Sequence, residues 1–142
     1  MRKLLTSAAI LSAFSTSALA DNNTIFSCTT ENGDRVLVKK EGNDYAFSFK
    51  GVSFKAPIKQ SLANPNSEIA TGSGFITSSL ELKQNAKMSY TVSFTQPRDN
   101  PKEYITPSVS VYPNGQLGDY FECNMNKPFE EYFDRKAMRA TP

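Results

Sequence analysis

The stretch Met88-Ser89-Tyr90-Thr91-Val92-Ser93-Phe94-Thr95 alternates large apolar and small hydroxyl side chains with a period of two. In an extended chain successive side chains point to opposite sides, so Met88, Tyr90, Val92 and Phe94 share one face and Ser89, Thr91, Ser93 and Thr95 the other. A helix would scatter both sets around its axis. The stretch therefore reads as a strand with one face on a core and one in water. Upstream, Phe75 to Lys83 puts Ile76, Leu80 and Leu82 on one face, and Gln84-Asn85-Ala86-Lys87 can turn the chain between the two. The pair forms the central hairpin of a small all-β domain.

The segments before it repeat the pattern. Ile25 to Thr30 reads as a first strand with Phe26 and Cys28 on one face, and Asn32-Gly33-Asp34 is a turn signal. Arg35 to Lys40 follows. After the turn Gly42-Asn43-Asp44, Tyr45, Phe47 and Phe49 alternate inward in a third strand. Val52 to Lys55 is a short fourth strand, halted by Pro57. Tight turns make an antiparallel meander the economical arrangement. Ile58 to Ala63 suits either one helical turn or a loop, and Asn64-Pro65-Asn66-Ser67 is loop chemistry. Gly72-Ser73-Gly74 suits a bulge or sharp bend before the hairpin. Gln96 to Pro107 holds three prolines and several charges and reads as an exposed loop. Val109 and Val111 mark a further strand. Pro113-Asn114-Gly115 turns the chain, and a closing strand places Phe121, Cys123 and Met125 on one face. The expected fold is a small antiparallel β-barrel or meander of seven to eight short strands.

Two segments stand outside this pattern. Residues 1–20 begin with Arg2 and Lys3, continue through the mostly apolar Leu4 to Phe14, and end on Ala18-Leu19-Ala20. That is the layout of a secretory signal peptide, with an N-terminal membrane anchor as the alternative. A single domain is then expected over 21–142. At the other end, residues 128–139 change period: Phe129, Tyr132, Phe133 and Ala137 would line one helical stripe, Pro128 suits a first helical position, and Glu131 can pair with Arg135 four residues on. A short C-terminal helix capping one barrel end or covering an open edge is expected, or alternatively a helix that binds a partner or a membrane surface.

The leader carries two of the sixteen Lys and Arg and none of the fourteen Asp and Glu, so the processed domain is neutral. Neutrality gives no electrostatic reason to expect nucleic acid or an anionic membrane as partner. The strands are mostly six to eight residues long with Ser, Thr and Lys outward, which does not suit an outer-membrane barrel. The two cysteines, Cys28 and Cys123, lie near the start and end of the domain. An exported chain meets oxidising conditions, so a disulfide between them is expected. It requires the first and last strands to approach closely and points to a closed or nearly closed barrel. Asn22-Asn23-Thr24 also matches a glycosylation acceptor.

The chain has no histidine, which removes His-activated nucleophiles and His-based metal sites. No phosphate-binding glycine motif is present. The carboxylates Glu68 and Glu81, or Asp99 and Glu103, read as solvated surface groups, and Glu31 and Asp34 lack calcium-loop spacing. No cofactor and no metal are expected, and no catalytic residue is assigned. The candidates that remain are protein-binding ones: Ser73 and Phe75 before the hairpin, and Arg98, Lys102 and Tyr104 in the proline-stiffened loop.

Phe26-Ser27-Cys28, Ser73-Gly74-Phe75 and the late Cys123 together resemble, in layout, the bacterial periplasmic and membrane-bound inhibitors of c-type lysozyme. The chain has no tryptophan, and so lacks the family's tryptophan with the Lys-Gly that follows it, and its C-terminal segment is extra. The resemblance implies an eight-stranded antiparallel barrel whose Ser-Gly segment enters the lysozyme cleft. The expected function is an exported, non-catalytic binding module, an inhibitor of a cell-wall hydrolase such as lysozyme, in the periplasm or secreted. An immunity protein against an exported toxin and a structural or adhesin-type envelope subunit are the alternatives.

Overall fold

Alternation along the chain becomes two facing sheets. The computed structural model describes residues 23–142; the leader expected over 1–20, Asp21 and Asn22 lie outside the described residues. The strands are β1 (Thr24–Thr29), β2 (Arg35–Glu41), β3 (Asp44–Phe49), β4 (Val52–Pro57), β5 (Glu68–Thr71), β6 (Phe75–Lys83), β7 (Met88–Pro97), β8 (Ile105–Pro113), β9 (Asp119–Glu122), β10 (Glu130–Glu131) and β11 (Arg139–Thr141), with one helix, α1 (Ile58–Ala63). One sheet has the order β10-β1-β2-β3-β4, the other β11-β5-β6-β7-β8-β9. The expected all-β meander holds. Neighbours pair antiparallel, except for the parallel pair of β11 and β5. The short strands β5, β10 and β11 add to the set read from the sequence.

The core lies between the sheets. Phe26, Val36, Val38 and Phe47 on one inner face meet Leu80, Leu82, Val92 and Phe94 on the other, all fully buried. Tyr45, Phe47 and Phe49 point inward as the alternation requires. Aromatic pairs span the gap: Phe47 to Tyr90 with ring centroids 4.8 Å apart, and Phe49 to Phe121 at 5.2 Å. Such pairs add about 0.5–1.5 kcal/mol each beyond the area they bury.

Three expectations need correction. First, the sheets do not close into a barrel. α1 and the 64–67 loop intervene between β4 and β5, which belong to different sheets. The other side is seamed: Cys28 at the end of β1 bonds Cys123 just after β9, with Cα atoms 5.8 Å apart, and Thr30 bridges Cys123. First and last long segments do meet, but at one point. Second, residues 128–139 form no helix. They supply β10, a turn and the first residue of β11. Phe129 and Phe133 point inward, whereas Tyr132 is 60% exposed, which is strand alternation. Third, the exposed loop is shorter than 96–107. β7 runs to Pro97 and β8 resumes at Ile105, because Pro97 still pairs with Phe75 and Gln96 is buried. Met125 lies beyond the end of β9 and is exposed rather than inward.

Candidate functional site

The turn joining β5 to β6 is short and tied. Gly72 N–H donates to Phe75 O at 2.8 Å. Neither Gly72 nor Gly74 uses a left-handed backbone, and a Cβ at Gly74 would meet nothing within 4 Å. The bend therefore comes from the hydrogen-bonded turn and not from glycine's extra freedom.

Chain pairing brings the second candidate segment to the same rim. Phe75 sits opposite Pro97. Beyond it, Arg98 N–H donates to Gly74 O at 2.9 Å and the Arg98 guanidinium donates to Gly72 O at 3.1 Å. Ser73, Phe75 and Arg98 are thus neighbours at one end of the six-stranded sheet, and all three are exposed, Phe75 by 53%. Lys102 is exposed further along the 98–104 loop. Hydrogen bonds from Asn100 N–H to Pro97 O and from Glu103 N–H to Asn100 O fold this loop into turns.

Tyr104 is placed differently. It is half-buried, with its ring 4.9 Å from that of Phe129 and 5.3 Å from that of Phe94. Its hydroxyl donates to Glu131 at 2.9 Å. Desolvation by burial, then the hydrogen bond to Glu131, raises the phenol pKa above its usual value, and Arg135 partly opposes this. Tyr104 anchors the loop from below; Arg98 and Lys102 lie on its outer side.

The sequence marks Glu131 only by its spacing to Arg135. It is buried and accepts from the Arg135 guanidinium at 2.7 Å, from Tyr104, and from Phe133 N–H at 3.2 Å. Arg135 also reaches Gln96 Oε1 at 3.3 Å and lies over the Phe94 ring. This network pins β10, β7 and the base of the 98–104 loop to one another.

The carboxylates divide. Asp99 and Glu103 are exposed, as expected. Glu68 is held by Arg139 and by the Thr141 hydroxyl, both at 3.2 Å. Glu81 is not solvated: it is buried, and its two oxygens accept from Asn64 Nδ2 at 2.9 Å and Asn66 Nδ2 at 2.6 Å. Among the described residues no three His, Cys, Asp or Glu side chains group as metal ligands would. No described helix is long and apolar enough to cross a membrane.

A hollow of about 470 Å³ lies on the outer face of the five-stranded sheet, where small Ala46, Ser48 and Ser53 are flanked by Leu37, Lys39 and Lys55. A second, of about 320 Å³, lies over the hydroxyl face of β6 and β7 near Glu81. The alternation had shown that face; the walls around it come from loops whose course was not legible. Comparison with protein-family models, with curated proteins and with solved structures finds no match.

Proposed function

We propose that this chain is an exported, non-catalytic module that binds a protein, and that the partner is a cell-wall hydrolase of the lysozyme type whose cleft it obstructs. The observation that carries the reading is the rim itself. Arg98 lies 26 residues beyond Gly72 yet shares one edge with Ser73 and Phe75, and two hydrogen bonds from Arg98 to the 72–74 turn fix it there. An exposed aromatic beside an arginine on a fixed backbone is the composition of an interface hot spot, because little ordering entropy remains to be lost on binding. The disulfide fits an oxidising, extracytoplasmic compartment.

An assembling subunit is less well supported. The long free edge, β4, turns Lys55 outward and ends at Pro57, features that discourage the addition of another strand.

The test is lysis of bacterial cell walls by a panel of lysozymes, followed by turbidity. Micromolar protein is expected to slow at least one of them. Phe75→Ala and Arg98→Ala are expected to relieve the inhibition while leaving the thermal unfolding transition in place. Unchanged lysis across the panel removes the hydrolase reading.

A further inference from the structure

On the outer face of the six-stranded sheet, a trough of about 320 Å³ runs between two fixed walls. Its floor is the hydroxyl side of the central hairpin, with Ser79 and Glu81 from β6 and Ser89 and Thr91 from β7. One wall is the loop after α1. There Asn64 and Asn66 clamp the Glu81 carboxylate, and Ser67 Oγ accepts Glu81 N–H at 2.9 Å. The other wall is Tyr112 with the Asn114-Gly115 turn, whose two positive φ angles suit a tight hairpin turn. Asn114 N–H donates to Lys87 O at 2.6 Å, so this wall is tied to the β6–β7 turn.

Within this fixed frame no protein group among the described residues hydrogen-bonds to the hydroxyls of Ser79, Ser89, Thr91 or Tyr112. Each can both donate and accept. An apolar ligand would cover them without offering a partner, which disfavours it. An anion would meet Glu68 and Glu81. A cation gains less than it first promises, since Arg139 already pairs with Glu68 and an adjoining hollow of about 190 Å³ is flanked by Lys83 and Lys87. A neutral ligand with many hydroxyls satisfies the set, and the Tyr112 ring offers an apolar surface for the C–H face of a sugar. The volume falls at the lower end of ligand sites in general. We infer that the trough lined by Ser79, Glu81, Thr91 and Tyr112 is a binding site for a neutral saccharide.

The site is independent of the proposed hydrolase-binding rim. Glu81 lies six positions beyond Phe75 along β6, about 20 Å of strand. The experiment is titration of the ¹⁵N-labelled, oxidised protein with chitotriose, cellotriose and maltotriose at millimolar concentration, with cadaverine as a cationic comparison. At least one trisaccharide is expected to shift the amides of Ser79, Glu81, Thr91 and Gly115. Thr91→Val removes a hydroxyl but keeps a branched strand residue, and is expected to weaken binding about tenfold with the remaining spectrum unchanged. Phe75→Ala is expected to leave binding as it was. Silence from all three sugars, shifts centred elsewhere, wild-type affinity in Thr91→Val, or a response to cadaverine alone would overturn the inference.

Discussion

Glu81 shows how far a residue's type and its surroundings can part. The period of two places it correctly, on the hydroxyl face of β6 opposite Thr91, and a glutamate on an outer face should be solvated. It is 5% exposed because the loop after α1 folds over it and supplies two amides. Inward residues such as Phe47, Val92 and Phe94 were legible because alternation reports which side of its own strand a residue takes. Alternation is silent on what another segment lays across that side. Removing Glu81 leaves the Asn64 and Asn66 amides without their acceptor, so Glu81→Ala is expected to lower stability by about 2 kcal/mol in urea. A change below a few tenths would mean that water replaces the carboxylate freely. A second residue-scale effect appears at high pH. Burial, and then the Asp134 charge, raise the Tyr45 pKa; burial and Glu131 raise that of Tyr104. A phenol raised in the folded state holds its proton after the unfolded chain has lost it. Its contribution is whole below about pH 10 and fades as pH climbs through the folded value. The urea midpoint should fall above about pH 10, and Tyr45→Phe should shallow that fall. Parallel alkaline limbs in the two proteins would assign the loss to other groups.

At the scale of elements, the C-terminal segment is where the reading of the sequence and the fold diverge most. Phe129, Phe133 and the Glu131–Arg135 spacing fit a helix, and the ion pair does form, at 2.7 Å. It forms on a strand and turn instead. β1 offers a free edge opposite Ser27 and Phe26, which Glu130 and Glu131 take, and Tyr132 N–H donates to Ile25 O at 2.8 Å. Phe129 and Phe133 then cover Phe26 and Phe94. Phe, Tyr and Asp are weak helix formers, and two of them pack well on a sheet, so an edge needing cover outweighs a helical stripe of about three turns. Local spacing could not show this, since the deciding partner lies a hundred residues away. Glu131 is the pin of the arrangement. Glu131→Ala would strand the Tyr104 hydroxyl and free Arg135, and is expected to cost about 1–3 kcal/mol. It should also raise amide exchange across residues 98–104 while β2 and β3 stay protected. Equal protection of the loop in both proteins would remove Glu131 as its anchor.

For the whole molecule, the decisive constraint is the bond between residues 95 positions apart. The pairing was legible because the chain has only two cysteines and they lie near the start and the end of the domain. Closure of the barrel did not follow from it. A disulfide fixes one point of contact, whereas a barrel needs a continuous ladder, and α1 breaks that ladder between β4 and β5. The fold is therefore two sheets packed through their aromatic faces and stitched on one side. Around the stitch, Glu31 N–H donates to Glu122 O, Asn124 N–H to Thr29 O and Cys123 N–H to Pro107 O. Replacing both cysteines by alanine removes the cross-link without burying a hydroxyl. The loss is expected to be about 2–5 kcal/mol, the range for removing a native disulfide from a small domain. The m-value should rise as the unfolded chain expands. Where protection is lost decides the mechanism. If the bond only restrains the unfolded chain, all amides lose protection together. If it also holds the seam, Glu31, Cys123 and Asn124 exchange first, while Val92 and Val109 at the centre of the six-stranded sheet follow global unfolding. The open side between β4 and β5 leaves β9 and β1 few other ties to each other, so early exchange at the seam is the expected result. Seam amides as slow as Val92 in the alanine variant would show that packing of the two aromatic faces alone keeps the sheets together.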